Sequence, residues 1–228
     1  MKQLGILGGL SWISSAEYYR ILNEEFSKRT ALDQNPKIVL NSIDFSEATK
    51  AFKNQNNANQ LMLKEAAKLD ATGCDLMIIA SNTAHFCFDA IESSTNTPMI
   101  HIADAVGGRL KALGVQKALL LGTRYTMNLD FYKKRLQDHF NIDVVIPEPE
   151  DKVEVNRIIY QELVKQNFTS SAQEEYLRII SKEASKGADA VIMGCTEIPL
   201  LLKGCKSPIP LVDSVWEHCI KTLDSMLS

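Results

Sequence analysis

Short apolar runs alternate along this chain with longer stretches in which apolar residues recur at helical spacing. QLGILGG (3–9), KIVLNSI (37–43), DLMIIAS (75–81), KALLLGT (117–123), DVVIP (143–147) and AVIMGC (190–195) have the length and apolar content of buried strands. Five amphipathic segments lie between them: SAEYYRILNEEFSKRT (15–30), NANQLMLKEAAKLDATG (57–73), MNLDFYKKRLQDHF (127–140), KVEVNRIIYQELVKQ (152–166) and SAQEEYLRIISKEASKG (171–187). Their periodicity predicts helices, and two end at or near glycine, the residue that most readily terminates one. Parallel strands need a crossover long enough to hold a helix, so this alternation predicts an α/β protein with mainly parallel sheets.

The pattern repeats. Gly8 and Gly122 follow the apolar runs LGIL and ALLL at a separation of 122 − 8 = 114. Tyr18 and Tyr132, Gly73 and Gly187, and Asp75 and Asp189 keep the same separation, which then sets Ser81 opposite Cys195. TPMIHIADAV (97–106) and SPIPLVDSV (207–215) form similar proline-containing exits, each leading to an aspartate. One such match could be chance, but five pairs at half the chain length point to internal duplication. Two similar α/β lobes are expected, residues 1–98 plus 209–228 and residues 99–208, with the proline-bearing exits as crossings.

Composition narrows the function. In 228 residues, 45% apolar content is enough for a sizeable core, and a net charge of −3 gives no basic footprint for nucleic acid or an anionic membrane. No apolar run reaches the roughly 20 residues that span a bilayer, and glycines and Trp12 interrupt any signal-peptide core near the start, so a cytoplasmic protein is expected. Cys74, Cys87, Cys195, Cys205 and Cys219 are odd in number and contain no CxxC, which argues against a disulfide framework or structural zinc.

Ligands bind outside the carboxyl ends of strands in open parallel sheets, and Ser81 and Cys195 both fall where a strand gives way to a helix. Facing lobes would bring them to opposite sides of one cleft. The first-turn amides of Asn82, Thr83, Thr196 and Glu197 suit a carboxylate. The same positive helix end lowers a thiol pKa toward a usable thiolate base, whereas the charge of Glu197 raises it. Ser81, Asn82 and Thr83 also fit a simple helix cap. GILGGLS lacks the GxGxxG spacing and reads as a tight strand-to-helix turn, and His85, His101, His139 and His218 show no metal-ligand spacing. His85, close after Ser81, is a minor catalytic candidate.

LGILGGLSW, SNTAH (81–85), LGTRYTM (121–127) and MGCTEIP (193–199) together resemble the aspartate/glutamate racemase family, in the expected order and across nearly the whole chain. The resemblance implies a cofactor-independent, pyridoxal-phosphate-free racemase of acidic amino acids, with two α/β lobes, an acid/base residue from each, and commonly a homodimer. It makes Cys195 and Ser81 the catalytic pair. Ser11, Asn82, Thr83 and Thr196 would hold the α-carboxylate, and Lys165 or Arg124 would hold the side-chain carboxylate.

One position departs from the family pattern, which reads CNTAH where this chain has Ser81. A hydroxyl is a far weaker acid than a thiol and removes an α-proton less readily. Three readings stand. Ser81 supports transfer on its own face, as in a threonine-bearing subgroup whose resemblance implies that Cys195 acts on the L enantiomer. Alternatively, serine is an introduced replacement for cysteine. Or one thiol suffices, as in relatives resembling arylmalonate decarboxylase or maleate isomerase. A non-catalytic amino-acid binding protein is the remaining alternative.

Overall fold

The computed structural model of the chain describes residues 1–30 and 34–228, which form two compact units, Met1–Ile102 with His218–Ser228, and Ala103–Glu217. The first unit contains β1 (Leu4–Gly8), α1 (Trp12–Arg29), β2 (Ile38–Ser42), α2 (Phe45–Ala51), α3 (Gln55–Asp70), β3 (Leu76–Ile79), a 3-10 turn at Thr83–Cys87 and α4 (Phe88–Glu92). Its strands are parallel in the order β2-β1-β3, and Met99 adds a single parallel bridge to Met77. The second unit contains α5 (Ile102–Ala112) from Ala103 onward, β4 (Lys117–Gly122), α6 (Arg124–Asn128), α7 (Asp130–Phe140), β5 (Asp143–Val145) and α8 (Pro149–Gln161). A 3-10 turn at Leu163–Lys165, α9 (Ser170–Ser185), β6 (Ala190–Gly194), α10 (Ile198–Leu201) and β7 (Leu211–Asp213) follow, and α11 (Ser214–Leu227) carries the chain back into the first unit at His218. The second sheet is parallel in the order β5-β4-β6-β7.

Every residue of β1, β3 and β6 is buried. Helices cover both faces of such strands, which therefore show unbroken apolar runs rather than alternation. Polar caps fix the helix starts: Ser11 Oγ accepts the Ser14 N–H, Asn54 Oδ1 accepts those of Asn56 and Asn57, and Thr123 and Thr169 cap α6 and α9. Each satisfies donors that the first helical turn leaves open.

The duplication extends to the sheet register. Leu7 pairs with Ile79, and Leu121 with Met193, each residue offset by 114 from its counterpart. Asp75 accepts the Gln3 amide at 2.6 Å, and Asp189 accepts the Lys117 amide at 3.0 Å, so the paired aspartates fasten equivalent strand starts. Gly73 and Gly187 both have positive φ, 69° and 91°, between helix and strand. Tyr18 and Tyr132 are both fully buried.

Several expectations require correction. The predicted helix at 127–140 is two helices, because Leu129 is extended (φ −78°, ψ 147°) between α6 and α7. The units exchange chain at Ile102/Ala103 and Glu217/His218, rather than at 98/99 and 208/209. The later second crossing follows from β7, a short strand behind two prolines, which pairs with β6 in the second sheet. The aspartates of the two exits do not correspond either. Asp213 caps α11, its Oδ1 accepting from Val215 and Trp216, whereas Asp104 lies inside α5. His101, two residues beyond Met99, matches Asp213, two beyond Leu211.

Among the described residues, no helix is long and apolar enough to cross a membrane.

Candidate active site

In the first unit, the turns after β1 and β3 leave neighbouring parallel strands at the same end of the sheet. The first turn is GGLS. Gly9 has φ +79°, and a Cβ there would lie 2.1 Å from the Ile43 carbonyl oxygen, so only glycine fits. Ser15 Oγ accepts the Gly9 N–H at 2.8 Å and tightens the turn onto α1. Ser11 serves there as the α1 cap, and its hydroxyl is partly buried. The second turn carries Ser81, Asn82 and Thr83. Ser81 Oγ accepts the Ala84 N–H at 3.3 Å, a capping role, and its side chain remains partly exposed.

In the second unit, the turns after β4 and β6 are likewise neighbours, with Gly122 paired to Gly194. Cys195 and Thr196 follow β6. The Cys195 thiol donates to Glu197 Oε2 at 3.0 Å. Glu197 is 3% exposed, so this carboxylate acts at close range under little solvent screening. Burial first, then the charge and hydrogen bond of Glu197, push the thiol well above its ordinary pKa, against a smaller lowering by the Glu197 and Thr196 amides. The expected thiolate is therefore a protonated thiol in the ligand-free protein. The amides at the helix start do favour the anion, but burial and the neighbouring carboxylate outweigh them.

Burial also pushes up the thiols of Cys87, to about 12, and Cys74. Among the described residues neither has a carboxylate hydrogen-bonded to its sulfur, and Cys74 donates instead to the Leu69 carbonyl at 3.5 Å. Cys195 has a carboxylate in place to accept its proton.

Arg124 begins α6 just beyond β4, exposed, with its guanidinium 5.6 Å from the centre of the Tyr125 ring. Its amide donates to Asn156 Oδ1 at 2.8 Å, and Lys152 Nζ donates to Asn128 Oδ1 at 3.2 Å. One face of α8 therefore runs along α6. Tyr160 is the next residue on that face, four beyond Asn156. It is 47% exposed, and partial burial raises its phenol. Tyr160 is thus a candidate on this face that the sequence reading missed, since its only signal is a helical spacing from Asn156. Lys165 ends the 3-10 turn after α8 and is exposed.

Among the described residues, no group of three or more His, Cys, Asp or Glu side chains is arranged to hold a metal ion. His85, His101 and His218 are all buried in the first unit, where aromatic rings and backbone groups surround them.

Two parallel sheets flanked by helices match the α/β fold of solved Asp/Glu racemase structures. The chain belongs to the Asp/Glu/hydantoin racemase family, whose model it matches over residues 7–222. It is similar to the broad specificity amino-acid racemase RacX of Bacillus subtilis, with 30% identity over 65% of this chain and 63% of the relative. The match therefore spans less than two thirds of that protein's length. A crystal structure from Yersinia pestis, described as a candidate Asp/Glu racemase, superposes with a TM-score of 0.93, 36% identity and full coverage of both chains. An aspartate racemase homologue from Pyrococcus horikoshii superposes with a TM-score of 0.87 and 34% identity, again over both full chains.

Proposed function

We propose that this protein is a cofactor-independent racemase of an acidic amino acid, aspartate or glutamate, in which Cys195 exchanges the α-proton on one face and Ser81 supports transfer on the other. The observation that carries the reading is the Cys195 thiol donating to Glu197. A thiol whose pKa is raised cannot act as a base until its proton has somewhere to go, and the acceptor stands 3.0 Å away.

In this reading Glu197 takes the thiol proton, and the thiolate removes the α-proton of the enantiomer that presents it to Cys195. Returning a proton to the opposite face of the planar carbanion inverts the centre. The carbanion is hard to form, so fixed donors must spread its charge over the α-carboxylate. Thr196, Asn82, Thr83 and Ser11 are assigned to that carboxylate. Arg124, Lys165 and the Tyr160 hydroxyl are assigned to the side-chain carboxylate. Proton NMR in D2O, with each enantiomer of aspartate and glutamate supplied separately, tests the proposal. Loss of the α-proton signal supports it, and an unchanged signal for all four would defeat it. The family resemblance implies a homodimer acting on a free small molecule, and a cytoplasmic location remains the expectation from the sequence.

A second reading rests on Ser81. With one thiol at the two duplicated positions, a single protonation of a planar intermediate would suffice, as in decarboxylase-like relatives. Release of CO2 from a substituted malonate, without exchange on aspartate or glutamate, would favour it.

A further inference from the structure

His85 closes the SNTAH segment, and neither of its ring nitrogens faces solvent. The ring is 1% exposed and stacks on Phe88 with centroids 5.8 Å apart and planes 9° apart. The Ile102 N–H donates to His85 Nε2 at 3.2 Å. A nitrogen that accepts carries no proton, so the ring proton of the neutral imidazole is on Nδ1. Nδ1 lies 2.7 Å from the Ser81 carbonyl oxygen, which can only accept. The two contacts therefore fix the tautomer. The imidazole joins the Ser81 backbone to the start of α5, at Ile102, where the first unit ends.

The Ser81 side chain has freedom that this bond limits. Its hydroxyl accepts the Ala84 N–H at the long distance of 3.3 Å, in a 3-10 turn that follows β3. The backbone carbonyl is the other handle on that residue, and His85 holds it. We propose that His85 is the positioning residue for Ser81, holding the Ser81 backbone through Nδ1–H so that the hydroxyl keeps a fixed direction; this rests on the racemase reading above. His85 does not touch substrate. Its effect is confined to chemistry on the Ser81 face and leaves the Cys195 face alone, because Cys195 has its own partner in Glu197.

Two isosteric substitutions separate the halves of the imidazole. In His85→Asn the amide N–H can take the place of Nδ1–H toward Ser81, and the bond to Ile102 is lost. In His85→Gln the side-chain oxygen can take the place of Nε2 toward Ile102, and the bond to Ser81 is lost. Both lose ring packing, so both should melt below wild type. The discriminating measurement is α-proton wash-out in D2O, recorded separately for the enantiomer that exchanges at Cys195 and the one that exchanges at the Ser81 face. The expected result is a drop of about tenfold or more at the Ser81 face for His85→Gln, the value of one lost positioning hydrogen bond, with His85→Asn within about threefold of wild type there. Cys195-face exchange should stay near wild type in both. Equal losses on both faces, equal losses in both variants, or no loss in His85→Gln would overturn the positioning role and leave the racemase reading intact. A wild-type protein that exchanges only the Cys195 enantiomer would overturn it too, since Ser81 would then have no transfer to direct. Wild type inert toward all four substrates would instead remove the racemase reading, and the positioning role with it.

Discussion

The Cys195 thiol donates its proton to Glu197 Oε2 at 3.0 Å, two residues further along the same turn. The carboxylate both raises the thiol pKa and offers the acceptor needed to form the thiolate. These two effects have opposite consequences in Glu197→Gln. Removing the negative charge lowers the Cys195 pKa, and every 1.4 kcal/mol of repulsion relieved makes the thiolate about tenfold more abundant at neutral pH. Alkylation of Cys195 by iodoacetamide should therefore become faster, as read by mass spectrometry. Racemisation should become slower, because in the substrate-filled site the thiol that has received an α-proton depends on Glu197 to take it, and the amide cannot. Slower alkylation together with slower turnover would mean that Glu197 helps form the anion rather than suppressing it.

Tyr18 and Tyr132 occupy duplicated positions but differ at the hydroxyl. The Tyr18 hydroxyl lies 2.8 Å from His218 Nδ1, and His218 Nε2 lies 3.0 Å from the Ile100 carbonyl, so Nε2 carries the ring proton and Tyr18 donates. The Tyr132 hydroxyl is buried without a hydrogen-bond partner among the described residues, and Val106 stands at the fifth position of α5 where His218 stands at the fifth of α11. Burial raises the Tyr132 phenol beyond any working pH, so it stays neutral. Tyr18→Phe should cost about 1–3 kcal/mol in urea denaturation, and Tyr132→Phe should be neutral or stabilising by up to about 1 kcal/mol. A larger loss for Tyr132→Phe would show that its hydroxyl is held in solution.

Gly9→Ala tests the turn that carries Ser11. The new Cβ would meet the Ile43 carbonyl oxygen at 2.1 Å, in a backbone conformation with φ +79° that alanine rarely adopts. A loss of at least about 2 kcal/mol is expected, combining left-handed strain with displacement of backbone rather than a flexible side chain. Unchanged thermal stability would mean the turn relaxes freely. Gly108→Ala is the control, since its position is open and helical.

The central strands β1, β3, β4 and β6 were legible because buried parallel strands write themselves as uninterrupted apolar runs, whereas β2 and β5, expected as buried strands, are only partly covered. The duplication was legible because Gly73, Gly187, Asp75 and Asp189 do local jobs that demand their residue type. β7 was not, since three residues behind Pro208 and Pro210 carry no periodicity. Its pairing with β6 decides where the chain crosses between units. The site was legible as a position and not as a charge state. MGCTE shows a thiol beside helix amides and a carboxylate, but which wins depends on burial against a cluster that includes residues far along the chain, such as Tyr176 and Ile179. Tyr160 was hidden for a similar reason, as its place beside α6 arises from the packing of α8 along that helix.

The last prediction concerns Ser81, where the duplication and the chemistry diverge. Ser81 and Cys195 hold equivalent places at the ends of β3 and β6, so a thiol introduced by Ser81→Cys enters a turn of the same register. In a two-face racemase each enantiomer is deprotonated by the group that its α-hydrogen meets. A thiol on one face and a hydroxyl on the other must then give unequal wash-out rates, because a hydroxyl is the poorer acid/base near neutral pH. The wild type should exchange one enantiomer quickly and the other slowly, and the family resemblance implies that the fast one is L. Cys195→Ala should abolish the fast exchange. Ser81→Cys should speed the slow exchange by at least about tenfold, the effect of about 1.4 kcal/mol off the barrier, and leave the fast one near wild type. The final mixture must stay equal in both proteins, because a catalyst cannot shift the equilibrium between enantiomers, so the comparison has to be made on initial rates. If Ser81→Cys leaves the slow enantiomer unchanged while Cys195→Ala is inactive, the chemistry runs on one thiol alone. The decarboxylase-like reading then takes precedence, and substituted malonates become the substrates to test.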